Sequence, residues 1–369
     1  MKKHLLNFLK FSAFLGIGLF ILYMVYRGQD AAFQEDCILK GVPAADCSLT
    51  QKLIDDFKGV NWIWLIVILA AFVISNISRA LRWNMLLKVL GYRPKASNAF
   101  LSVMMGYGAN LLLPRIGEVA RAGSFSKYER IPIDQVAGTV VVDRIVDVIS
   151  LGLVVSLAFL LEFETLWNYL SQNADFAEKI NGIVQSPIIW TLGILSLLSI
   201  PVFYFFREKI SQTKIFQRIL QFVKGLWEGI QTVGRLERPS VFIFHSVVIW
   251  LMYYLMTYLC FFAFESTQHL TPVAGLMVFV FGAFGIIIPS PGGMGTYHWL
   301  VIQALAIYGV AQNDAFSFAM IIFFTINIGC NISIGLLSVV LLPILNKNYI
   351  PAHVAAKDAK SEHPRTVNS

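Results

Sequence analysis

The chain has 369 residues, 57% of them apolar and only 14% charged, with 29 Phe. A soluble domain carries about 25% charged residues, so this composition excludes a soluble globular protein and requires an integral membrane protein. The net charge of +7 reports orientation in such a chain. No basic patch interleaved with exposed aromatics speaks for nucleic acid.

Lys2 and Lys3 precede an apolar run over 8–26. No small-residue cleavage site of the A-x-A kind follows, so the run reads as a retained first span. The stretch 27–60 is acid-rich: Asp30, Glu35, Asp36, Asp46, Asp55 and Asp56 against Arg27, Lys40, Lys52 and Lys58. It holds Cys37 and Cys47, which either form a disulfide or stay unpaired. Cys260 and Cys330 fall in apolar runs and read as packing residues. The cysteine spacing suits no metal, and no cofactor motif is present.

Further spans read at about 61–80, 138–161, 187–206, 241–264 and 315–344. Between them lie two interrupted segments, about 97–125 and 272–310. The first is broken at Pro114 and Gly117, the second at Pro289, Pro291, Gly292, Gly293 and Gly295. Broken backbone at membrane depth is tolerated only where it is buried in protein or lines a polar cavity. A matched pair of such breaks points to a transporter-like site.

Loop charge sets the orientation. The stretch 78–97 holds Arg79, Arg82, Lys88, Arg93 and Lys95 without an acid, and 207–240 is again basic. The stretch 162–186 sets four acids against Lys179 alone. Both termini are therefore expected in the cytoplasm of a cytoplasmic (inner) membrane protein. The signs close if both interrupted segments are re-entrant, although an even number of full crossings would preserve them too. The expected fold is an all-α polytopic membrane protein with about six spanning helices and two re-entrant hairpins. The domain over 1–345 then falls into two inverted halves, about 1–165 and 187–345. The stretch 207–240, with Ile210, Ile215, Ile219, Phe222, Leu226 and Ile230, reads as an amphipathic surface helix or a solvated connector. The segment 346–369 reads as a polar, disordered cytoplasmic tail.

Arg115, Glu118 and Arg121 follow the first break. A helix starting near Pro114 or Gly117 would place Glu118 and Arg121 on one face and offer free N–H groups to a phosphate. Arginine suits phosphate because its planar fork binds two oxygens. The other reading is that these charges pair to hold the hairpin. Asp143, Arg144 and Asp147 lie within the next span and must find partners or water. They read as neutralising Arg115 or Arg121, or as a proton-coupling network. After the second break a helix should restart near Thr296, with His298 in its first turn as either a headgroup or proton contact or a hydrogen-bonded structural residue. Asn327 and Asn331 read as helix-packing residues.

Asn110…Pro114…Gly117-Glu118…Arg121, then Asp143-Arg144…Asp147, then Pro289…Pro291-Gly292-Gly293…Gly295 resemble the membrane domain of lysylphosphatidylglycerol synthases. The resemblance runs over most of residues 5–345 and identifies a flippase-like, stand-alone member. It implies movement of a lipid between leaflets and does not carry over the synthase activity. Many relatives have Glu where this chain has His298, and often begin the charged span motif with Glu-Arg where this chain has Asp143-Arg144. The resemblance therefore does not fix the headgroup.

Residues and resemblance together imply flipping of a phospholipid or lipid-linked phosphate, with Arg115 and Arg121 holding phosphate and Asn110, Glu118 and His298 beside the headgroup. Membrane lipids are the expected partners, with a separate lipid-modifying enzyme as a candidate supplier. Two other classes stay open: a lipid-modifying membrane transferase, which would need a donor site, and a non-transporting envelope scaffold. The sequence does not set the oligomeric state.

Overall fold

The structure, a computed structural model, describes residues 2–43, 47–112, 116–172, 217, 233–288, 290 and 293–355. Pro114, Arg115, Pro289, Pro291, Gly292, the expected span 187–206 and most of the expected amphipathic stretch 207–240 lie outside the described residues. Every element described is helical. In chain order these are α1 (Lys2–Leu39), α2 (Leu49–Gly59), α3 (Trp62–Val89), α4 (Ala96–Leu112), α5 (Ile116–Glu129), α6 (Ile133–Leu161) and α7 (Phe163–Gln172). After the gap follow α8 (Pro239–Cys260), α9 (Pro272–Ile287), α10 (Thr296–Ile307), α11 (Gln312–Ile322), a π-helical stretch (Phe323–Cys330) and α12 (Asn331–Leu345). The chain is an all-α polytopic membrane protein. Among the described residues, Trp62–Val89, Ile133–Leu161, Pro239–Ala263 and Gln312–Leu345 are each long and apolar enough to span.

Local chemistry sets the boundaries. Asn61 starts α3 by accepting from the Ile63 N–H, and Thr271 starts α9 by accepting from Ala274. Pro239 and Pro272 sit in first turns, where a missing N–H is harmless. The four helices flanking the breaks are short. At 1.5 Å per residue, the 17-residue α4 reaches about 25 Å against a hydrocarbon core of about 30 Å.

The core is an antiparallel pair, α3 and α8. Trp64 stacks on Phe262 at one end, Arg79 meets Tyr253 further along, and Arg82 meets Ser246 beyond that. The rest is built around this pair with matching contacts on either side. As α4 packs on α3, α9 packs on α8; α5 on α6 is matched by α10 on α11, and α4 on α12 by α9 on α6.

Each break folds back on itself, and glycine permits it. In the first, a side chain at Gly117 would collide with the Gly106 carbonyl and the Asn110 side chain, while one at Gly106 would stand 2.8 Å from the Gly117 oxygen. In the second, a Cβ on Gly285 would lie 2.5 Å from Tyr297 Cα. Gly293 and Gly295 take φ of 86° and 82°, where a side chain is strained. Helix α4 crosses α12 at Gly108 and Gly335, close enough that a Cβ on either would stand 3.0–3.2 Å from the other's Cα. Gly117→Ala should therefore destabilise the protein by about 1–3 kcal/mol through overpacking, read as a lowered unfolding temperature in detergent. Gly123→Ala, with open space around it, should not.

One expectation needs correction. The segment after the last span is not wholly disordered. Asn346 exchanges hydrogen bonds with Asn98 (2.7 and 2.9 Å), and the Tyr349 hydroxyl donates to Glu129 (3.0 Å) beneath the Lys95 ammonium. Those partners order 346–355, and 356–369 lies outside the described residues. Within the last span lies a π-helical stretch, Phe323–Cys330.

Candidate functional site

Five charged side chains from three helices converge inside the bundle. Arg79 and Arg82 come from α3, Arg121 from α5, and Asp143 and Asp147 from α6. Their positions follow from helical spacing. Residues 79 and 82 share a face, and so do 143 and 147. Arg82 Nη2 lies 2.6 Å from Asp143 Oδ1 and 2.6 Å from Asp147 Oδ1. Arg79 Nη1 lies 2.6 Å from Asp147 Oδ2 and 3.5 Å from Asp143 Oδ2. Arg121 Nη1 donates to Asp143 Oδ2 at 3.0 Å. Arg82 and Asp143 are fully buried, and Arg79 and Arg121 are each 3% exposed.

A shell of polar and aromatic groups holds these charges. Arg82 donates to Ser246 (3.2 Å) and Arg79 to Tyr253 (3.2 Å), whose hydroxyl lies 3.2 Å from that of Tyr107. The Arg121 guanidinium lies 4.0 Å from the Trp83 ring centroid, and Trp83 donates its indole N–H to Thr139 (2.9 Å). The site thus links both sides of the antiparallel core. It lies in the C-terminal third of α3, with Arg82 about 10 Å from that helix end.

The charges do not balance. Three guanidinium groups face two carboxylates, leaving an excess of one positive charge among the described residues of the cluster, all of them buried except Asp147, whose side chain is 13% exposed. The donors are not all used either. Arg121 Nε and Nη2 and Arg79 Nε are buried without a hydrogen-bond partner among the described residues. Unpaired buried donors are costly, about 1–3 kcal/mol each. A buried cation with open fork positions suits a bidentate anion, above all phosphate or carboxylate.

The sequence-level expectations divide. Asp143 does neutralise Arg121. Glu118 and Arg121 do not act as one face: Glu118 lies 3.1 Å from Arg144 in a half-exposed pair, while Arg121 turns into the core. Arg144 accordingly stands apart from its neighbours Asp143 and Asp147. Asn110 accepts from the Gly117 N–H (2.8 Å) and so caps the start of α5 across the turn, a structural use. His298 is fully buried in the second hairpin, its Nδ1 accepting from the Gly295 N–H (3.3 Å), with Phe323 4.6 Å away. It closes its own break and is not part of the arginine network. Asn331 donates to the Asn327 carbonyl (3.2 Å).

Arg79 and Arg82 are the residues that sequence reasoning misplaced. Counted as cytoplasmic loop charges, they lie inside α3 because that helix runs on to Val89. The signal was present in Asn76, Arg79 and Trp83, polar or amphipathic residues repeating at helical spacing through the end of the apolar window and past it. Lys88, Arg93 and Lys95 keep that end basic without them. Tyr107, Ser246 and Tyr253 carried no signal, since one hydroxyl in an apolar run looks like any other.

A family model described as the lysylphosphatidylglycerol synthase TM region matches residues 47–333. Two archaeal membrane proteins of the UPF0104 group are similar to the chain. One, from Methanocaldococcus jannaschii, is 24% identical over 282 residues, covering 72% of this chain and 80% of that protein. Another, from Methanothermobacter thermautotrophicus, is 24% identical over 282 residues, covering 67% and 77%. No solved structure matches.

Proposed function

Because the chain belongs to the lysylphosphatidylglycerol synthase TM region family, we propose that it moves a phospholipid or other lipid-linked phosphate between the leaflets of the cytoplasmic membrane. Membership makes it a multi-pass membrane protein of lipid metabolism or transport. Passage between leaflets is the finer reading, and the observation that carries it is the uncompensated positive charge of the buried network. Arg121 bears two donors there that no described residue uses, at the foot of a broken hairpin.

In this reading the headgroup phosphate reaches Arg121 while the acyl tails stay in lipid, which lowers the cost of moving a polar head through hydrocarbon. Asp143 and Asp147 fix the arginines and limit the excess to one charge, so that the anion is held but released. The protein acts as a transporter and not as an enzyme, with lipids as its partners and both termini in the cytoplasm. The basic end with Lys88, Arg93, Lys95, Lys127 and Arg130 supports that orientation. So does the bond between Cys37 and Cys47 at the other end, since disulfides persist in oxidising compartments. The matching helix contacts on both sides of α3 and α8 support two inverted halves, the architecture of alternating access.

The test is leaflet exchange in proteoliposomes, using tail-labelled lipids and a membrane-impermeant quencher. Lipids bearing a phosphate should exchange only with protein present, while a diacylglycerol should show no protein-dependent gain. Equal acceleration of both would contradict phosphate recognition.

A further inference from the structure

We infer that a cavity at the opposite end of the bundle from the arginine network binds a small organic amine through its ammonium group. The cavity measures about 430 Å³ and lies between the end of α2, the turn following α8 and the start of α11. Asp55, Asp56, Glu265 and Asp314 line it, with Ser266 and Ser317. It is independent of lipid passage, being built from other residues at another depth.

Charge and geometry select the ligand class. Lys52 reaches Asp56 (2.8 Å) and Asp314 (2.7 Å), and Lys58 reaches Asp55 (3.4 Å). Four carboxylates thus face two lysines, and Glu265 has no ion pair among the described residues. The Lys52 ammonium also shows what the wall accepts: a primary amine bridging two carboxylates on different helices. The second observation is Ser317. It is 1% exposed, lines the cavity, and its Oγ has no hydrogen-bond partner among the described residues. A buried hydroxyl left without a partner is expensive unless something fills the space before it. An ammonium N–H donates where the carboxylates and this hydroxyl accept.

The arrangement argues against a metal ion as occupant. Among the described residues no three acidic, histidine or cysteine side chains are grouped closely enough to hold one. The volume also far exceeds that of a single ion and suits an amine carrying several carbon atoms. Ala263, Phe264 and Gly59 supply an apolar wall for its methylenes. Such an ammonium group could belong to a free polyamine or to a lipid headgroup.

Calorimetric titration of spermidine into the full chain in phosphatidylcholine nanodiscs tests the site. Saturable one-to-one binding is expected, weakened about fivefold in Glu265→Gln, which removes one exposed charge without an ion pair among the described residues. A further loss is expected in Glu265→Gln/Ser317→Ala. Displacement of spermidine by phosphatidylethanolamine in the nanodisc would assign the ammonium to a headgroup, and its persistence would assign it to a soluble amine. The inference is overturned by absence of saturable binding or by unchanged affinity in both variants. Mg²⁺ occupying the site in a form spermidine cannot displace would also overturn it.

Discussion

Replacing Asp143 by Asn should cost about 3–5 kcal/mol of stability, the largest single-residue effect expected in this protein. Asp143 is fully buried and touches all three arginines, through Oδ1 to Arg82 and through Oδ2 to Arg121 and Arg79. Without its charge, Asp147 alone faces three guanidinium groups in a medium where charge is poorly screened. Removing one partner of a buried ion cluster leaves the others unpaired, and that loss dominates. The measurement is thermal unfolding in detergent, with Glu118→Gln as control. Glu118 pairs with Arg144 at a half-exposed position, so its loss should change stability by less than about 1 kcal/mol. Adding Arg121→Met to Asp143→Asn returns the cluster to its original excess of one charge and should recover part of the loss. That coupling is a double-mutant cycle between contacting residues.

Arg121→Met alone should separate stability from transport. The substitution leaves two guanidinium groups facing two carboxylates and removes two unsatisfied N–H groups. It also removes the guanidinium over Trp83, replacing it with an apolar side chain that packs on the same ring. Because the parent cluster holds one cation in excess and Asp143 keeps Arg82 and Arg79, losing Arg121 leaves no carboxylate unpaired, unlike the loss of Asp143. Stability should therefore stay within about 1 kcal/mol of the parent or rise. Transport should fall about tenfold to a hundredfold. That range corresponds to losing a charge-assisted hydrogen bond to the phosphate, about 1.5–3 kcal/mol. A residue kept where its removal does not harm the fold is kept for what it binds. Arg121→Lys should rescue only in part, since a single ammonium cannot make the bidentate contact.

Much of the scaffold was legible because membranes simplify it. Apolar length located the four observed spans, and Pro114, Gly117 and the 289–295 cluster located both reversals, since proline and glycine in mid-span have few uses. The restart at Thr296 and the partnership of Arg121 with Asp143 were also readable, because buried ions must find partners. Less visible was anything requiring two segments distant in sequence. Arg79 and Arg82 looked like loop charges until Asp143 and Asp147, over 60 residues away, drew them into the membrane. Glu118 looked inward-facing by proximity to Arg121, yet three residues on a helix rotate a side chain by about 60°, enough to bring it to Arg144 instead. Tyr349 gave no hint of its place, since its order depends on Glu129 and Lys95 in another hairpin.

The measurement that reaches the centre of the account is leaflet exchange of a phosphate-bearing lipid by Arg121→Met, run beside its thermal unfolding. The account predicts a protein as stable as the parent whose exchange falls by about tenfold or more. Undiminished exchange from the same folded variant would contradict it and remove the buried arginine network from the path of the lipid.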